Sequence, residues 1–349
     1  MMKLAIPLLA AMLALPAYAG NVIISTGTSV SGQSDHDFST DLQLAKQGDA
    51  QAQNEVGVHY FQQQDYAHAL LWLQKSAAQG LAPAQNNLGF MYQHGLGVAK
   101  DYAKARALFE QAAAQGDAPA QNNLGLIYMQ GLGVTKDDAK ARALFEQAAA
   151  QGNAPAQNNL GWMYMQGLGI AKDYAKTRAL FKQAAAQGYA NAQNNLGFMY
   201  MQGLGVTKDN AKARALFEQA AAQGYANAQN NLGWMYMQGL GVAKDYAKAR
   251  ALFEQAEAQD YANAQNNLGL MYMQGLGIAK DYAKARALFE QVAAQGDANA
   301  QNNLGGMYYQ GLGVAKDYAK ARALFKQAAA QGNADAQANL DYMNRHNLR

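Results

Sequence analysis

Glycines 89, 125, 161, 197, 233, 269 and 305 lie 36 residues apart, and each follows Asn-Asn-Leu. Near-identical copies at a fixed period of this length restrict a chain to repeat architectures, in which each copy is one supersecondary unit resting on its neighbours. Counted from the residue after each unit-ending glycine, the long units are 81–116, 117–152, 153–188, 189–224, 225–260, 261–296 and 297–332. A shorter unit, 49–80, precedes them and lacks four residues between Gln62 and Asp65, where the others carry Gly-Leu-Gly-Val or Gly-Leu-Gly-Ile.

Within 117–152, Ala120, Leu124, Ile127 and Tyr128 recur at i, i+4, i+7 and i+8, the stripe of a helix with one buried face. Gly131 and Gly133 end that helix by supplying left-handed backbone, and Val134 docks the turn. Asp137 caps a second helix, whose apolar stripe is Ala141, Leu144, Phe145, Ala148 and Ala149 and whose wet face carries Lys140, Arg142 and Glu146, until Gly152 stops it. Each unit is thus predicted to be a helical hairpin. A lone hairpin of this size has too little apolar surface to hold itself together, so stacking between units must carry the stability. The many alanines and Gly125 permit close approach of the helices. At the two ends the pattern changes: residues 38–48 resemble a truncated second helix, and 333–349 a first helix in which Asp341 and Asn344 replace Gly and Tyr. Both are expected to shield the ends of the stack.

The pattern Leu-Gly-x-Met-Tyr-x-x-Gly-x-Gly-Val-x-Lys-Asp-x-x-Lys-Ala, followed by Leu-Phe-x-x-Ala-Ala-x-x-Gly, resembles the Sel-1-like repeat, a branch of the tetratricopeptide class. It stands at Leu232 to Asp260, with Asp260 in place of the last glycine and Glu257 in place of the second alanine. The resemblance covers 49–332. It implies an all-α, right-handed α-solenoid of about eight helix-turn-helix repeats, with first helices lining the concave face, and members that act as adaptors for other proteins, exported bacterial ones among them. A cysteine-rich bacterial branch linked to penicillin binding is also implied; with no cysteine, this chain stands apart from it.

Before the repeats, Met1-Met2-Lys3, the apolar run Leu4 to Leu15 and Ala17-Tyr18-Ala19 match a cleavable signal peptide, residues 1–19, with cleavage expected between Ala19 and Gly20. The apolar run is too short for a membrane span, so no stable anchor is expected. Residues 20–37, rich in Ser, Thr, Gly and Asn, are expected to form a disordered leader. These features point to a periplasmic or secreted protein.

Composition narrows the chemistry further. The absence of cysteine removes disulfides, thiolate metal sites and a cysteine nucleophile. The five histidines (36, 59, 68, 94 and 346) leave the middle of the chain without one, and His59 with His68 makes a weak metal site at most. No serine begins a Ser-x-x-Lys, as a β-lactamase-type nucleophile requires. Asp101, Asp137 and Asp173 recur where caps belong, and Gly95-Leu96-Gly97 lacks both the third glycine and the preceding strand of a dinucleotide loop. A formal charge of +3 and the interleaving of Lys100, Lys104 and Arg106 with Asp101 and Glu110 speak against a nucleic-acid surface. No cofactor, no metal and no catalytic residue is expected.

The informative positions are those that differ between near-identical copies. After each Leu-Gly stand Val58, Phe90, Leu126, Trp162, Phe198, Trp234, Leu270 and Gly306; three residues later come Phe61, Gln93, Met129, Met165, Met201, Met237, Met273 and Tyr309. Four residues before come Asn54, Asn86, Asn122, Asn158, Asn194, Asn230, Asn266 and Asn302. Spacing of i, i+4 and i+7 puts all three rows on one face of the first helix, offset from the Leu/Met/Tyr core stripe. Two readings stand: a groove floor of rings, thioethers and amides suited to a protein or peptide ligand, or contacts between neighbouring first helices. The groove reading makes the chain an exported, non-enzymatic, monomeric adaptor with a protein or extended peptide in its concave groove. Its rivals are an envelope enzyme or penicillin-binding, β-lactamase-like protein, and a structural element that associates end to end.

Overall fold

The structure is a computed structural model that describes residues 38–348; the expected signal peptide and leader lie outside the described residues. Among the described residues every regular element is an α-helix. They run α1 (Phe38–Gln47), α2 (Ala50–Gln62), α3 (Tyr66–Ala78), α4 (Ala82–His94), α5 (Tyr102–Ala114), α6 (Ala118–Gln130), α7 (Asp138–Ala150), α8 (Ala154–Gln166), α9 (Tyr174–Ala186) and α10 (Ala190–Gln202). Then follow α11 (Asn210–Ala222), α12 (Ala226–Gln238), α13 (Tyr246–Glu257), α14 (Ala262–Gln274), α15 (Tyr282–Ala294), α16 (Ala298–Gln310), α17 (Tyr318–Ala330) and α18 (Ala334–Arg345). The fold is an all-α solenoid of helical hairpins. It divides into two compact units at Ala192/Gln193.

In the first of these, α2 packs on α3, α4 on α5, α6 on α7 and α8 on α9, each pair being one repeat. Successive repeats join through α3 on α4, α5 on α6 and α7 on α8. The second unit repeats the scheme: α12 with α13, α14 with α15 and α16 with α17 form hairpins, joined through α11 on α12, α13 on α14 and α15 on α16, and α18 packs on α17.

The hairpin follows from its residues. Gly131 takes φ +69°, a conformation that costs a side-chain-bearing residue energy, and its N–H caps the Ile127 carbonyl. The chain then returns so that the Asp137 N–H reaches the Tyr128 carbonyl at 2.9 Å. The Asp137 carboxylate accepts from the Lys140 N–H at 2.9 Å, and Asp101, Asp173, Asp209, Asp245, Asp281 and Asp317 do the same for their helices. Exchanging Asp137 for alanine is expected to cost about 1 kcal/mol, the usual worth of an N-cap; urea denaturation that finds no loss would remove the cap from the account.

Where the helices of a hairpin cross, Phe145 is fully buried and its Cε1 lies 2.6 Å from where a Cβ on Gly125 would stand. Glycine here makes room for a ring as well as for backbone. The same pairing joins Gly89 to Phe109 and Gly161 to Phe181, and in the second compact unit Gly197 to Phe217, Gly233 to Phe253, Gly269 to Phe289 and Gly305 to Phe325. The core cluster around Phe145 includes Met129, Ala141 and Ala148 from its own repeat and Ala156, Leu160 and Met163 from the next, so each ring is held by two repeats. Leu160→Ala, deleting a side chain only 5% exposed in that cluster, is expected to cost about 2–5 kcal/mol; a loss under about 1 kcal/mol in chemical denaturation would mean that the core face is misassigned.

Candidate functional site

The first helix of each repeat carries the three rows of candidate residues, and the structure separates them. Asn122, Asn158, Asn194, Asn230 and Asn266 are at most 5% exposed. Except for Asn54, which is followed by Glu55, each row member stands beside a second asparagine, and these side chains bond from repeat to repeat. In the first compact unit the Asn87, Asn123 and Asn159 side-chain amides donate to Oδ1 of Asn54, Asn86 and Asn122 at 2.9–3.0 Å. In the second, Asn231, Asn267, Asn303 and Asn339 donate to Asn194, Asn230, Asn266 and Asn302 at 2.8–3.1 Å. These amides fix the register of neighbouring repeats, and burial makes each such bond costly to break. They offer no surface to a backbone ligand, which corrects their place in the groove.

The methionines are corrected on the same ground. Met129, Met165, Met201, Met237 and Met273 are 2–5% exposed and belong to the core between repeats. Leu270, 2% exposed, is buried with them, as is Val58. The physical reason is the number of neighbours: α4 packs on α2, α3, α5 and α6, so that little of its circumference remains wet. A helix flanked in this way has no spare polar face for a groove.

What remains at the surface is narrower than the sequence pattern. Phe90, Leu126, Trp162, Phe198 and Trp234 are half-buried, and Tyr309 with them. Trp162 rests on the cluster of Met129, Phe145 and Leu160, and Trp234 on that of Met237, Phe253 and Leu268. Both indole N–H groups are buried without a hydrogen-bond partner. Tyr309 lies among Tyr318 (5.4 Å between ring centroids) and Tyr342 (6.3 Å); burial first, and then the Tyr342 phenol, push its hydroxyl above the usual tyrosine range.

Beside these residues runs a row that the sequence pattern did not single out. The ammonium groups of Lys104, Lys140 and Lys176 sit 5.0–5.2 Å above the rings of Tyr92, Tyr128 and Tyr164, and Lys212, Lys248, Lys284 and Lys320 cover Tyr200, Tyr236, Tyr272 and Tyr308 at 5.1–5.5 Å. A constant spacing of twelve from Tyr to Lys is the signal that would have found them. The lysines also approach their capping aspartates, and Arg106 and Arg142 lie 3.4–3.5 Å from Glu110 and Glu146. Such exposed pairs contribute little to stability.

The histidines fall into aromatic stacks. His59 stacks on Phe38 at 4.0 Å and His68 on Tyr60 at 5.0 Å, while His68 Nδ1 pairs with the Asp65 carboxylate at 2.7 Å. Among the described residues no group of three or more His, Cys, Asp or Glu is placed to hold a metal ion. His94 stacks on Phe90 at 4.1 Å. Burial, and then the charge of Lys100, hold its imidazole below the ordinary range. Because the folded state disfavours the charged ring, the unfolded chain takes up the proton first, and stability falls as the pH drops through about 6.5 and below. His94→Gln is therefore expected to lose less stability than the parent chain between pH 7.5 and 5; parallel thermal melts check this, and identical pH dependence would contradict it.

Comparison with known proteins gives a consistent picture. The profile of the Sel1 repeat family matches residues 50–81, 82–117, 118–153, 154–189, 190–225, 226–261, 262–297 and 298–333. Among solved structures, c5321, described as a protective antigen present in uropathogenic Escherichia coli strains displaying an SLR fold, is 38% identical with a TM-score of 0.63 over 89% of this chain and 68% of that one. A Sel1 repeat protein from Oxalobacter formigenes is 32% identical with a TM-score of 0.61 over 68% of this chain and 94% of its own. A stretch of 55 residues is 46% identical to the ERAD-associated E3 ubiquitin-protein ligase component HRD3 of Candida glabrata, spanning 16% of this chain and only 7% of that protein.

Proposed function

From the premise that this chain belongs to the Sel1 repeat family, whose members generally mediate protein–protein interaction, we propose that it is an exported, non-enzymatic adaptor that binds a protein or an extended peptide. The partner contacts the first-helix surface at Phe90, Leu126, Trp162, Phe198 and Trp234, with Tyr309 as a further contact. One observation carries this reading: the buried core positions scarcely change from copy to copy, whereas the position after each Leu-Gly changes among Phe, Leu and Trp in the five copies where it is half-exposed. Half-exposed rings fixed from below by a packed core are suited to anchor a partner, since they lose little side-chain freedom on binding. The asparagine and methionine rows support these anchors by holding adjacent helices in register. Export rests on the pattern of residues 1–19, and action in the envelope or at host contact follows from it. A cytosolic location of the chain expressed in a bacterium, read by cell fractionation, would overturn that part alone.

The test of the anchors begins with cross-linking and affinity capture from envelope and host extracts, followed by direct binding of the partner identified. Trp162→Leu with Trp234→Leu is the variant of choice, because leucine already occupies the same place at 126 and 270. Because each indole is already half-exposed, the loss of stability is expected to stay below about 3–5 kcal/mol per site, the cost of truncating a buried ring to alanine, while partner affinity falls by about tenfold or more, the scale of a lost aromatic anchor. Undiminished affinity in the folded double variant would refute the anchor role.

A further inference from the structure

We propose that the α13/α14 junction is a built-in seam, at which the helices from α14 onward open together as one block before the preceding repeats do.

Three departures from the repeat meet at this place. Asp260 stands where the other units end in glycine, and it holds φ +57°, the left-handed region that glycines 224 and 296 occupy at +80° and +91°. Glu257 replaces an alanine, and α13 ends at that residue, one position short of its counterpart α11. Val292 replaces the alanine found at 220, 256 and 328, and it is fully buried.

Gln265, on the first turns of α14, records what these changes do. The equivalent glutamines Gln121, Gln157 and Gln301 bridge two neighbours, and Gln229 keeps the accepting side of the bridge. In the bridge the side-chain amide donates back to a carbonyl eight residues earlier, as Gln121 does to Ala113 (3.4 Å), Gln157 to Ala149 (3.3 Å) and Gln301 to Ala293 (3.5 Å). Its Oε1 accepts from a glutamine thirty residues later, as in Gln151 to Gln121, Gln223 to Gln193, Gln259 to Gln229 and Gln331 to Gln301 (2.8–3.0 Å). Gln265 is 0% exposed, and neither its Nε2 nor its Oε1 has a hydrogen-bond partner. The missing acceptor is the Glu257 carbonyl, in the shortened last turn of α13. The missing donor is Gln295, at the end of the helix that carries Val292. Gln265 is thus left with neither bond at the junction that also carries Glu257, Asp260 and Val292, and a buried amide with neither partner disfavours the closed state.

The consequence follows from the linear architecture. Each repeat touches only its neighbours, so a break at one interface frees what lies on one side of it. The interface at stake holds Phe253 and Ala256 of α13 against Ala264, Leu268 and Met271 of α14. Opening bares these residues and leaves the interface between α11 and α12 closed. This inference does not depend on which partner the chain binds.

Hydrogen exchange of the 349-residue chain, read by mass spectrometry, tests it. Amides of α14 to α17 are expected to share one exchange rate, about tenfold faster than those of α12, with the step falling between α13 and α14. Asp260→Gly with Val292→Ala reverts two of the three departures to the residues of the other repeats and is expected to abolish most of that step. Gly224→Asp, which copies the change into the preceding junction, is expected to create a new step between α11 and α12. Exchange that rises smoothly from repeat to repeat, or a step that persists unchanged in the folded double variant, would overturn the proposal.

Discussion

Phe145→Ala is expected to destabilise the chain by about 3–5 kcal/mol, the range for removing a fully buried phenylalanine. The ring has no exposed surface, and it is clamped between the Cα of Gly125 in its own hairpin and Ala156, Leu160 and Met163 of the next repeat. Its loss therefore weakens the contacts of two repeats. A second substitution sharpens the expectation. Gly125→Ala alone sets a methyl 2.6 Å from the ring edge, closer than van der Waals contact allows, and costs stability by overpacking. With the ring already gone the same methyl has room, so the double variant is expected to be more stable than the sum of the two single losses by at least about 1 kcal/mol. Urea denaturation of the four chains of this cycle gives the coupling directly, and strict additivity would place Phe145 away from Gly125.

The hairpin was legible in the sequence because its punctuation is chemical. Only glycine takes the left-handed turn at 131 without strain, only a short acceptor such as Asp137 satisfies the free N–H groups of the second helix, and the apolar residues between them have the helical period. All of these are local, and each reappears seven times. The site was less legible, because its interpretation depends on neighbours that lie a whole repeat away. Asn122, Leu126 and Met129 do share one side of a helix, as their spacing demands, but spacing within a helix does not say what that side faces. Asn159 reaches Asn122 across 37 positions, a separation that mirrors the repeat length plus one. The Asn-Asn doublet held this information: one member points to the preceding repeat and the other to the next. The burial of the methionines is hidden in the sequence for a related reason. An apolar stripe offset from the main core stripe marks a free groove in a two-helix unit, yet it marks a second core face in a stack.

The variable aromatic position survived as a candidate because it lies where two buried arcs of the first helix end. Trp162 is large enough to touch the cluster beneath it and still leave one edge in water, whereas Leu270 at the same place sinks to 2% exposure. Side-chain size alone does not decide this, since Leu126 at the same place stays half-buried. No pattern in a single sequence distinguishes these cases, since the backbone positions are equivalent.

A fragment holding only two central repeats, residues 117–188, is expected to be largely unfolded, although it contains every local signal of the hairpin. Phe145 would keep its contacts to α8, but the Asn123 amide would lose its acceptor Asn86 in the preceding repeat, and Gln121 would lose the Ala113 carbonyl. With interfaces as the source of stability, each repeat added should raise the midpoint of unfolding, steeply at first and then less so. Circular dichroism of this fragment against the full chain measures whether these hairpins are held by their neighbours rather than by themselves. A weak helical signal without a cooperative thermal transition is expected for residues 117–188 and a sharp transition for the full chain; a cooperative transition in the two-repeat fragment at a temperature close to that of the full chain would mean that each hairpin holds itself.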